Sequence, residues 1–415
     1  MTAREQAPTP HVLLVSYLFR PSDRSGARRV TGIRDGLRAL GIRTTVLTST
    51  FSGRAEEDAG SVVQARDLRS AGTLKHVVGS SRRRWWSRLV VPDSTAVSWA
   101  PAAALQAATI VRHRRPHGVF TSSPPESVHL VGLYLRSRGI PWIADFRDGW
   151  TLEPPTLRPY LAGIDRGLER LVLERADTVT AVTSPLADYL QGRARRGRVV
   201  HLTNGFDPAL TATAPDERGT LDARRFSLVY TGTGGLDGKD PRPFLRALQA
   251  MLAEQPALSD RLEVVFAGDF TPEEVAAMEA SPLRGVVRTL GHVAHARSLG
   301  LQQAADGLLL ITSVNCGHVA TLKVYEYLAA RKPILALADG NAAATLLAGA
   351  GPHVLAAPGD EAGILTALRT YVERWLAGDE RFRPDVRLEE FTFPRIAHRL
   401  AELFAEVGAF SFAPG

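Results

Sequence analysis

A lysine and a glutamate stand three positions apart in the segment TLKVYEYLAARKPILAL, residues 321–337. On a helix, side chains at this spacing share one face, so Lys323 and Glu326 can act together. One explanation is a surface ion pair on an ordinary helix. The other is a ligand site where the helix begins, with the two charges meeting different parts of one molecule. The choice depends on the loops that approach this helix.

The glycine-rich turn TGTGGLDGKD (231–240) is a second candidate site. Its four glycines are followed by Lys239 just before a helical pattern. Backbone N–H groups, a helix dipole and one cation would together cradle a diphosphate. The turn is not the G-x-x-x-x-G-K-[ST] nucleotide loop, because Asp240 follows the lysine. A flexible surface loop is the alternative. We favour the cradle, because the turn leaves a predicted strand at its carboxyl end.

Two turns in the first half of the chain carry further candidates. Gly26 stands at the start of a predicted helix, where it would either let a ligand reach bare N–H groups or serve a tight turn. The segment ADFRDGWT clusters Asp145, Arg147 and Asp148 directly after a predicted strand. Buried charges are costly unless they pair or bind something. An internal Arg–Asp pair would satisfy this cost, but the position at a strand end favours a ligand site.

Short apolar segments alternate with helical patterns along the whole chain. The predicted strands are residues 11–19, 43–49, 117–123, 141–146, 178–184, 198–205, 226–234, 262–269, 286–293, 306–313, 332–338 and 351–359. The clearest helical patterns are residues 26–41, 241–255 and 393–410. This alternation predicts parallel sheets covered by helices on both faces. Because the pattern restarts after a polar segment at 204–219, we predict two tandem doubly wound domains that face each other across a cleft, with ligands at the carboxyl ends of their strands.

Composition excludes several classes of protein. The apolar runs are shorter than the roughly 18 residues that a membrane span needs. The only cysteine, Cys316, allows no internal disulfide, and a cytoplasmic location is expected. The net charge of +7 comes with no zinc finger or RNA-binding signature, so no nucleic-acid partner is expected. The segment SSRRRWWSRLVVPD (80–93) fits either a membrane-surface patch on the inner membrane face or a solvated face with packed tryptophans.

Several segments resemble a known family. They are HVLLVSYLFRPSDRSGARR, VVPDSTAVSWAPAA, FTSSPPESVHLVGLYLRSRGIPWIADFRDGWT, NGFDP and TLKVYEYLAARKPILAL. In this order, over nearly the whole chain, they look like a bacterial glycosyltransferase of family four, which has the GT-B fold of two Rossmann-like domains. The resemblance implies a retaining, metal-independent enzyme without a cofactor. It also implies that residues 1–205 bind the acceptor, that residues 206–390 bind the nucleotide-sugar donor, and that a helix within 391–415 packs back on the N-terminal domain.

The resemblance also implies roles for individual residues. Glu326 matches the glutamate that holds the donor ribose, a task that suits a carboxylate because it accepts from both hydroxyls of a vicinal diol. Arg147 and Asp148 stand where many members carry a His–Asp pair beside the reacting sugar. The remaining donor-binding positions, whose backbone or side chains would meet the diphosphate or the nucleobase, are Gly26, Gly232, Thr233, Lys239, Gly291, His292, Val293, Thr321, Leu322 and Lys323.

Three positions depart from the family pattern. His318 stands where many members have a first glutamate, and we keep it as a candidate catalytic residue. Thr233 stands where many carry a phosphate-binding arginine, and Arg147 replaces a histidine. Lys323 is placed to supply the missing cation, which would direct it to the diphosphate while Glu326 binds the ribose.

The sequence thus predicts sugar transfer from a nucleoside diphosphate donor, with uridine favoured, to an acceptor hydroxyl. Asp148 is the candidate polar group near the anomeric carbon, with Arg147 to orient it. The acceptor stays open among a lipid-linked sugar, a glycan and a small natural product. The alternatives are an enzyme of the same fold with another outcome, such as an epimerase or a glucan polymerase, and a non-catalytic protein that binds nucleotide sugars.

Overall fold

The computed structural model describes residues 9–22, 24–53, 61–68, 91–152, 159–235, 238–313, 317–318, 320–379 and 387–412. The chain forms two compact units. Unit 1 comprises residues 1–205 together with 391–415, and unit 2 comprises residues 206–390. In the described parts of the chain, no helix is long and apolar enough to cross a membrane.

Unit 1 is built on a parallel sheet. Its described strands are β1 (His11–Val15), β2 (Arg43–Ser49), β3 (Val62–Ala65), β4 (Gly118–Ser123), β5 (Trp142–Phe146), β6 (Thr178–Ala181) and β7 (Val199–His201). They lie in the order β3-β2-β1-β4-β5-β6-β7. The order reverses between β1 and β4, which makes the carboxyl ends of these two strands the place where a doubly wound sheet binds ligands.

Helices cover both faces of this sheet. They are α1 (Ser25–Ala39), α2 (Thr95–Ser98), α3 (Ala100–Arg114), α4 (Val128–Arg136), α5 (Ala162–Arg175), α6 (Ser184–Arg193) and a C-terminal helix (Phe393–Glu406). Helices α3 to α6 share one apolar core with the sheet. Helix α1 lies on the opposite face and packs against the C-terminal helix. A β-carbon at Gly32 of α1 would overlap the Phe393 ring, so the glycine permits this close packing.

Unit 2 repeats the plan with a second parallel sheet. Its described strands are β8 (Phe226–Thr231), β9 (Leu262–Ala267), β10 (Val287–Gly291), β11 (Gly307–Ile311), β12 (Ile334–Leu337) and β13 (Val354–Ala356). Their order is β10-β9-β8-β11-β12-β13, which reverses between β8 and β11. The helices are α7 (Pro208–Ala212), α8 (Arg242–Glu254), α9 (Pro272–Met278), α10 (His295–Ala304), α11 (Leu322–Ala329), α12 (Ala342–Ala348) and α13 (Glu361–Leu376).

The alternation of side chains along β8 explains how unit 2 buries two cores. Leu228 and Tyr230 point into a core with α8 and α13, whereas Val229 points into a core with α10, α11 and α12. Successive strand residues face opposite sides of a sheet, so an almost continuous apolar strand is buried on both. Each strand predicted from the sequence contains an observed strand, and the predicted α/β class with parallel sheets is confirmed.

Candidate functional site

The glycine-rich turn of unit 2 begins where β8 ends, beside the point of strand reversal. Gly232 has a φ of +136°, which favours glycine, and its N–H donates to the Ala267 carbonyl at 2.8 Å. Gly268 directly follows the neighbouring strand β9, and its N–H donates to the carbonyl of Gly291, the last residue of β10, at 2.7 Å. A β-carbon at Gly268 would overlap the Gly232 carbonyl. Three strand ends therefore meet as bare backbone at this edge of the sheet.

Lys323 extends from α11 to this turn. Its Nζ lies 4.1 Å from the centroid of the Tyr230 ring, within cation–π range. A β-carbon at Gly232 would overlap the same Nζ, so the glycine leaves the space that the ammonium group occupies. The structure thus brings together two predicted site residues that are 91 positions apart, with a positive charge held against bare backbone.

Glu326 lies on the same helix but is buried, with only 8% of its surface exposed. Its Oε1 lies 2.9 Å from Nε2 of His295, the first residue of α10, so the imidazole N–H donates to the carboxylate. A buried carboxylate is costly without such a donor. Glu326 is therefore not one half of a surface ion pair, and its charge is held in place by His295.

Two buried tyrosines anchor the start of the turn. The Tyr230 hydroxyl donates to the Thr233 carbonyl at 2.9 Å, and the Tyr327 hydroxyl accepts from the Thr231 N–H at 2.9 Å. Burial raises the pKa of both phenols, so they stay protonated across the physiological range. The Gly232 turn is thus bonded to the core on both sides, and neither tyrosine was predicted as part of the site.

The other predicted residues of unit 2 are distributed around this edge. The side chain of Thr233 is exposed, Lys239 is half-buried, and the Lys239 carbonyl closes the turn by accepting from the Gly235 N–H at 3.0 Å. His292 is exposed, and its Nδ1 lies 3.0 Å from Asp269 Oδ2. Three further positions are the half-buried Val293, the N-cap Thr321 and the buried Leu322.

His318 is 9% exposed and follows Gly317, whose carbonyl accepts from the Ala342 N–H at 2.9 Å. Residues 314–316 and 319, which include Cys316, lie outside the described part of the chain. Among the described residues, no group of three His, Cys, Asp or Glu side chains is arranged to hold a metal ion.

In unit 1 the structure brings Gly26 and Arg147 together. A β-carbon at Gly26 would lie 2.6 Å from Arg147 Nη1, so the guanidinium occupies the space beside the start of α1. Arg147 donates to the carbonyls of Ser123 at 2.7 Å and Pro124 at 2.8 Å. Burial lowers the pKa of Arg147, against the opposing charges of Asp148 and Asp145. The guanidinium is thus held by backbone carbonyls and lies within the electrostatic influence of Asp148, and the role of Arg147 as the orienter of Asp148 stays a prediction.

The prediction that Asp145 faces a ligand is wrong. Asp145 is fully buried and forms a two-pronged ion pair with Arg29 of α1. Its Oδ2 accepts from Arg29 Nε at 3.0 Å and its Oδ1 from Nη2 at 2.8 Å. The hydroxyls of Ser122 and Thr180 donate to the same carboxylate at 2.7 and 2.8 Å. Asp145 thus joins α1, which carries Gly26, to the ends of the strands and to the segment that carries Arg147.

The loop after β5 is held in place by α5. Trp150 Nε1 donates to Asp165 at 3.2 Å, and the Thr151 N–H donates to the buried Glu169 at 2.9 Å. These bonds fix the segment that carries Asp148, which is half-buried. The tryptophan–arginine segment of the sequence falls largely on residues 80–90, outside the described residues.

Comparison with known families now identifies the first unit. Residues 26–205 match the family model described as "Glycosyl transferase 4-like domain". The chain carries a glycosyl transferase 4-like domain. The match begins at Gly26 and includes Arg147 and Asp148, so this domain contains each of the unit 1 residues that the sequence singled out. A comparison with curated proteins gives no significant match.

Solved structures with the same fold cover nearly the whole chain. A sucrose-phosphate synthase from Thermosynechococcus elongatus has 16% identity and a TM-score of 0.70 over 97% of this chain and 100% of that one. A UDP-forming α,α-trehalose-phosphate synthase from Burkholderia xenovorans, in complex with glucose-6-phosphate, has 15% identity and a TM-score of 0.66 over 96% and 100%. WaaG, a glycosyltransferase involved in lipopolysaccharide biosynthesis, has 15% identity and a TM-score of 0.60 over 96% and 98%. The predicted GT-B fold and glycosyltransferase class are therefore confirmed.

Proposed function

We propose that this protein is a retaining glycosyltransferase that moves a sugar from a nucleoside diphosphate donor to an acceptor hydroxyl. The observation that carries the proposal is the Lys323 ammonium against the Gly232 turn, with the buried Glu326 carboxylate three residues further along the same helix. A lysine in the first turn of a helix and beside a glycine turn suits a diphosphate, and a fixed carboxylate suits a ribose diol. Uridine is our first candidate for the base, supported by the UDP-forming synthase of the same fold.

The chemistry that this arrangement supports is stabilisation of the leaving group. Negative charge develops on the diphosphate as the bond to the sugar breaks, and fixed donors and cations lower the energy of that state. Lys323 and Lys239 of unit 2 would supply the charge, with backbone N–H groups near Thr321 and Leu322. No metal ion is required in this scheme.

The reacting sugar and its acceptor are assigned to residues 1–205. We place Asp148 near the anomeric carbon, with Arg147 as a further candidate catalytic group of the same unit. His318 of unit 2 is kept as a separate candidate. The acceptor is a lipid-linked sugar, a glycan or a small natural product. The synthase structure that holds glucose-6-phosphate makes a sugar phosphate a further candidate for the acceptor.

A panel of nucleotides and nucleotide sugars tests the function. We expect one nucleoside diphosphate, UDP first, to raise the melting temperature of the full-length protein, and its α-linked sugar to be transferred with retention. The Asp148→Asn protein should keep donor binding and lose turnover. Binding without transfer to any acceptor class would indicate a non-catalytic binding protein, and donor isomerisation would indicate an epimerase. No binding within the panel would overturn the proposal.

Lys323 gives a prediction particular to this chain. Lys323→Ala should weaken nucleoside diphosphate binding about tenfold or more, as expected for loss of a charge-assisted contact of about 1.5–3 kcal/mol. Lys239→Ala should have a similar effect, and neither change should alter binding of the plain nucleoside. Calorimetry with both ligands measures this.

Thr233→Arg provides the matched test, because an arginine at 233 restores the cation that the family pattern places there. In the Lys323→Ala background it should recover part of the lost affinity. If Lys323→Ala binds the diphosphate as tightly as the parent, the idea that Lys323 replaces the missing arginine is wrong.

We further propose a cytoplasmic location with contact to an anionic membrane surface through α5. Tyr160, Ile164 and Leu171 are exposed by 61%, 55% and 37% along one stripe of this helix and the turn before it. Arg175, four residues after Leu171, is exposed on the same stripe, and Arg170 is exposed further around the helix. Apolar side chains flanked by arginines suit an interfacial helix on anionic lipid.

Sedimentation with phosphatidylglycerol vesicles tests this contact. The parent should bind these vesicles, bind phosphatidylcholine vesicles less, and dissociate as salt screens the charges. The Ile164→Ser/Leu171→Ser protein should lose binding. Leu105→Ser, at a leucine that is 73% exposed on α3, is the matched control and should retain it. Equal binding by all three proteins would contradict the assignment.

A further inference from the structure

The contact between His295 and Glu326 has no role in the function as described so far. His295 begins α10, the helix that follows the segment LGHV, and Glu326 lies on α11. The two residues are 31 positions apart, yet His295 Nε2 lies 2.9 Å from Glu326 Oε1. The side chains are 21% and 9% exposed, so the bond is formed at the margin of the protein, partly shielded from water.

This bond restricts χ3 of Glu326, the torsion that sets the plane of the carboxylate and that packing of the helix does not fix. The last torsion of a glutamate is broad and roughly two-fold, so burial of the stem does not by itself fix the plane of the carboxylate. A donor at Oε1 selects one orientation. An ionised carboxylate offers about four acceptor positions, of which the bond from His295 occupies one. A carboxylate that is already oriented loses less freedom when a diol binds to it.

We propose that His295 is a positioning residue, which orients the Glu326 carboxylate to accept hydrogen bonds from the two ribose hydroxyls of the donor. His295 acts through Glu326 and does not itself contact the ribose. The inference rests on the proposed function, because it assumes that Glu326 binds a nucleotide ribose. A structural contact that merely joins α10 to α11 is the alternative.

Deoxynucleotides separate these explanations without any need for turnover. The probe is the nucleoside diphosphate that gives the largest shift in the panel, compared by calorimetry with its 2′-deoxy analogue. The parent should prefer the ribonucleotide by about tenfold or more, since a hydroxyl bonded to a charged group is lost in the analogue. His295→Ala should reduce this preference to less than about threefold, mainly through weaker binding of the ribonucleotide. A structural contact would instead lower the affinity for both ligands equally.

Two further variants serve as controls. His295→Gln keeps an N–H donor that can reach the carboxylate, so it should recover part of the preference. Arg297 lies on the same helix as His295 and pairs with Glu217. Arg297→Ala removes this ion pair and should leave the preference for the ribonucleotide unchanged. In transfer assays His295→Ala should raise the donor KM and leave kcat at saturating donor nearly constant.

The outcomes distinguish the two proposals. If Glu326→Ala abolishes the preference but His295→Ala leaves it intact, the positioning role is wrong and the proposed function stands. If His295→Ala lowers the affinity for the ribonucleotide and for the deoxynucleotide equally, the contact between His295 and Glu326 is structural. If the parent shows no preference between the two ligands, or binds neither, Glu326 does not hold a ribose and both the role of His295 and that part of the proposed function fail.

Discussion

Asp145→Ala should lower the free energy of unfolding of unit 1 by about 3–5 kcal/mol, the largest effect that we expect from a single change. The substitution leaves the Arg29 guanidinium fully buried without its counter-charge, and it also leaves the hydroxyls of Ser122 and Thr180 without their acceptor. Arg29 would keep only its bonds to neutral acceptors, among them the Thr203 carbonyl at 2.7 Å. Urea unfolding followed by tryptophan fluorescence measures the change, because five of the six tryptophans lie within residues 1–205.

Asp35→Ala is the matched control for this experiment. Asp35 pairs with Arg34 of the same helix, but its side chain is 41% exposed. Water screens such a pair, so its loss should cost about 1 kcal/mol or less. A cost for Asp145→Ala no larger than that of Asp35→Ala would contradict the account of a buried structural ion pair.

The same pair predicts a dependence on pH. Burial raises the pKa of Asp145, but the charge and hydrogen bonds of Arg29, with those of Ser122 and Thr180, lower it more, so the net pKa lies below the ordinary value. A carboxyl whose folded pKa is depressed stabilises the protein above its unfolded pKa, about 3.9, and loses that contribution as the pH falls through the folded value. The stability difference between the parent and Asp145→Asn should therefore persist at pH 5 and shrink only well below pH 4.

Glu326→Ala should cost about 2–4 kcal/mol of donor binding, because it removes a carboxylate with two charge-assisted hydrogen bonds to the ribose. The fold should persist, since Glu326 lies at the margin of the core and its partner His295 keeps access to water. Calorimetry with the nucleoside diphosphate gives the loss in affinity, and circular dichroism shows whether the helices remain.

Glu361→Ala provides the control for a lost glutamate in unit 2. Glu361 pairs with Arg246, and the two side chains are 49% and 51% exposed, so its removal should leave donor affinity unchanged. Diphosphate without a nucleoside should bind Glu326→Ala and the parent equally. Unchanged affinity of Glu326→Ala for the full nucleotide would refute the ribose assignment.

Local patterns in the sequence were sufficient to predict the fold. Alternating apolar runs and helical periodicity predicted twelve strands, each of which is present, because burial on both faces leaves a direct trace in residue type. The strand β3 was missed, since it has four residues, is mostly half-buried and follows the acidic segment AEED. Its place in the sheet depends on pairing with β2, which leaves little trace in so short a segment.

The candidate site could be predicted only where its residues lie close together in the sequence. Lys323 and Glu326 were found because they share one helix, and Gly232 because glycines mark a special turn. The partners of these residues were not found, since His295 and Tyr230 are brought to them by tertiary packing. The same limit explains Asp145, whose partner Arg29 is 116 positions away. A nearby arginine, Arg147, was the obvious partner in the sequence but not in the structure.

The C-terminal helix makes unit 1 dependent on a segment that is synthesised after unit 2. Phe393 and Ala397 fill the space above Gly32 and Gly36 of α1, and Phe404 covers Gly118 at the start of β4. During synthesis residues 1–205 leave the ribosome before this helix does. One face of α1 is therefore exposed to solvent until unit 2 and the helix have been synthesised. Excising residues 1–205 as an independent domain should expose that face and favour aggregation. Joining residues 391–412 through a linker ahead of β1 would restore the cover in a circularly permuted domain.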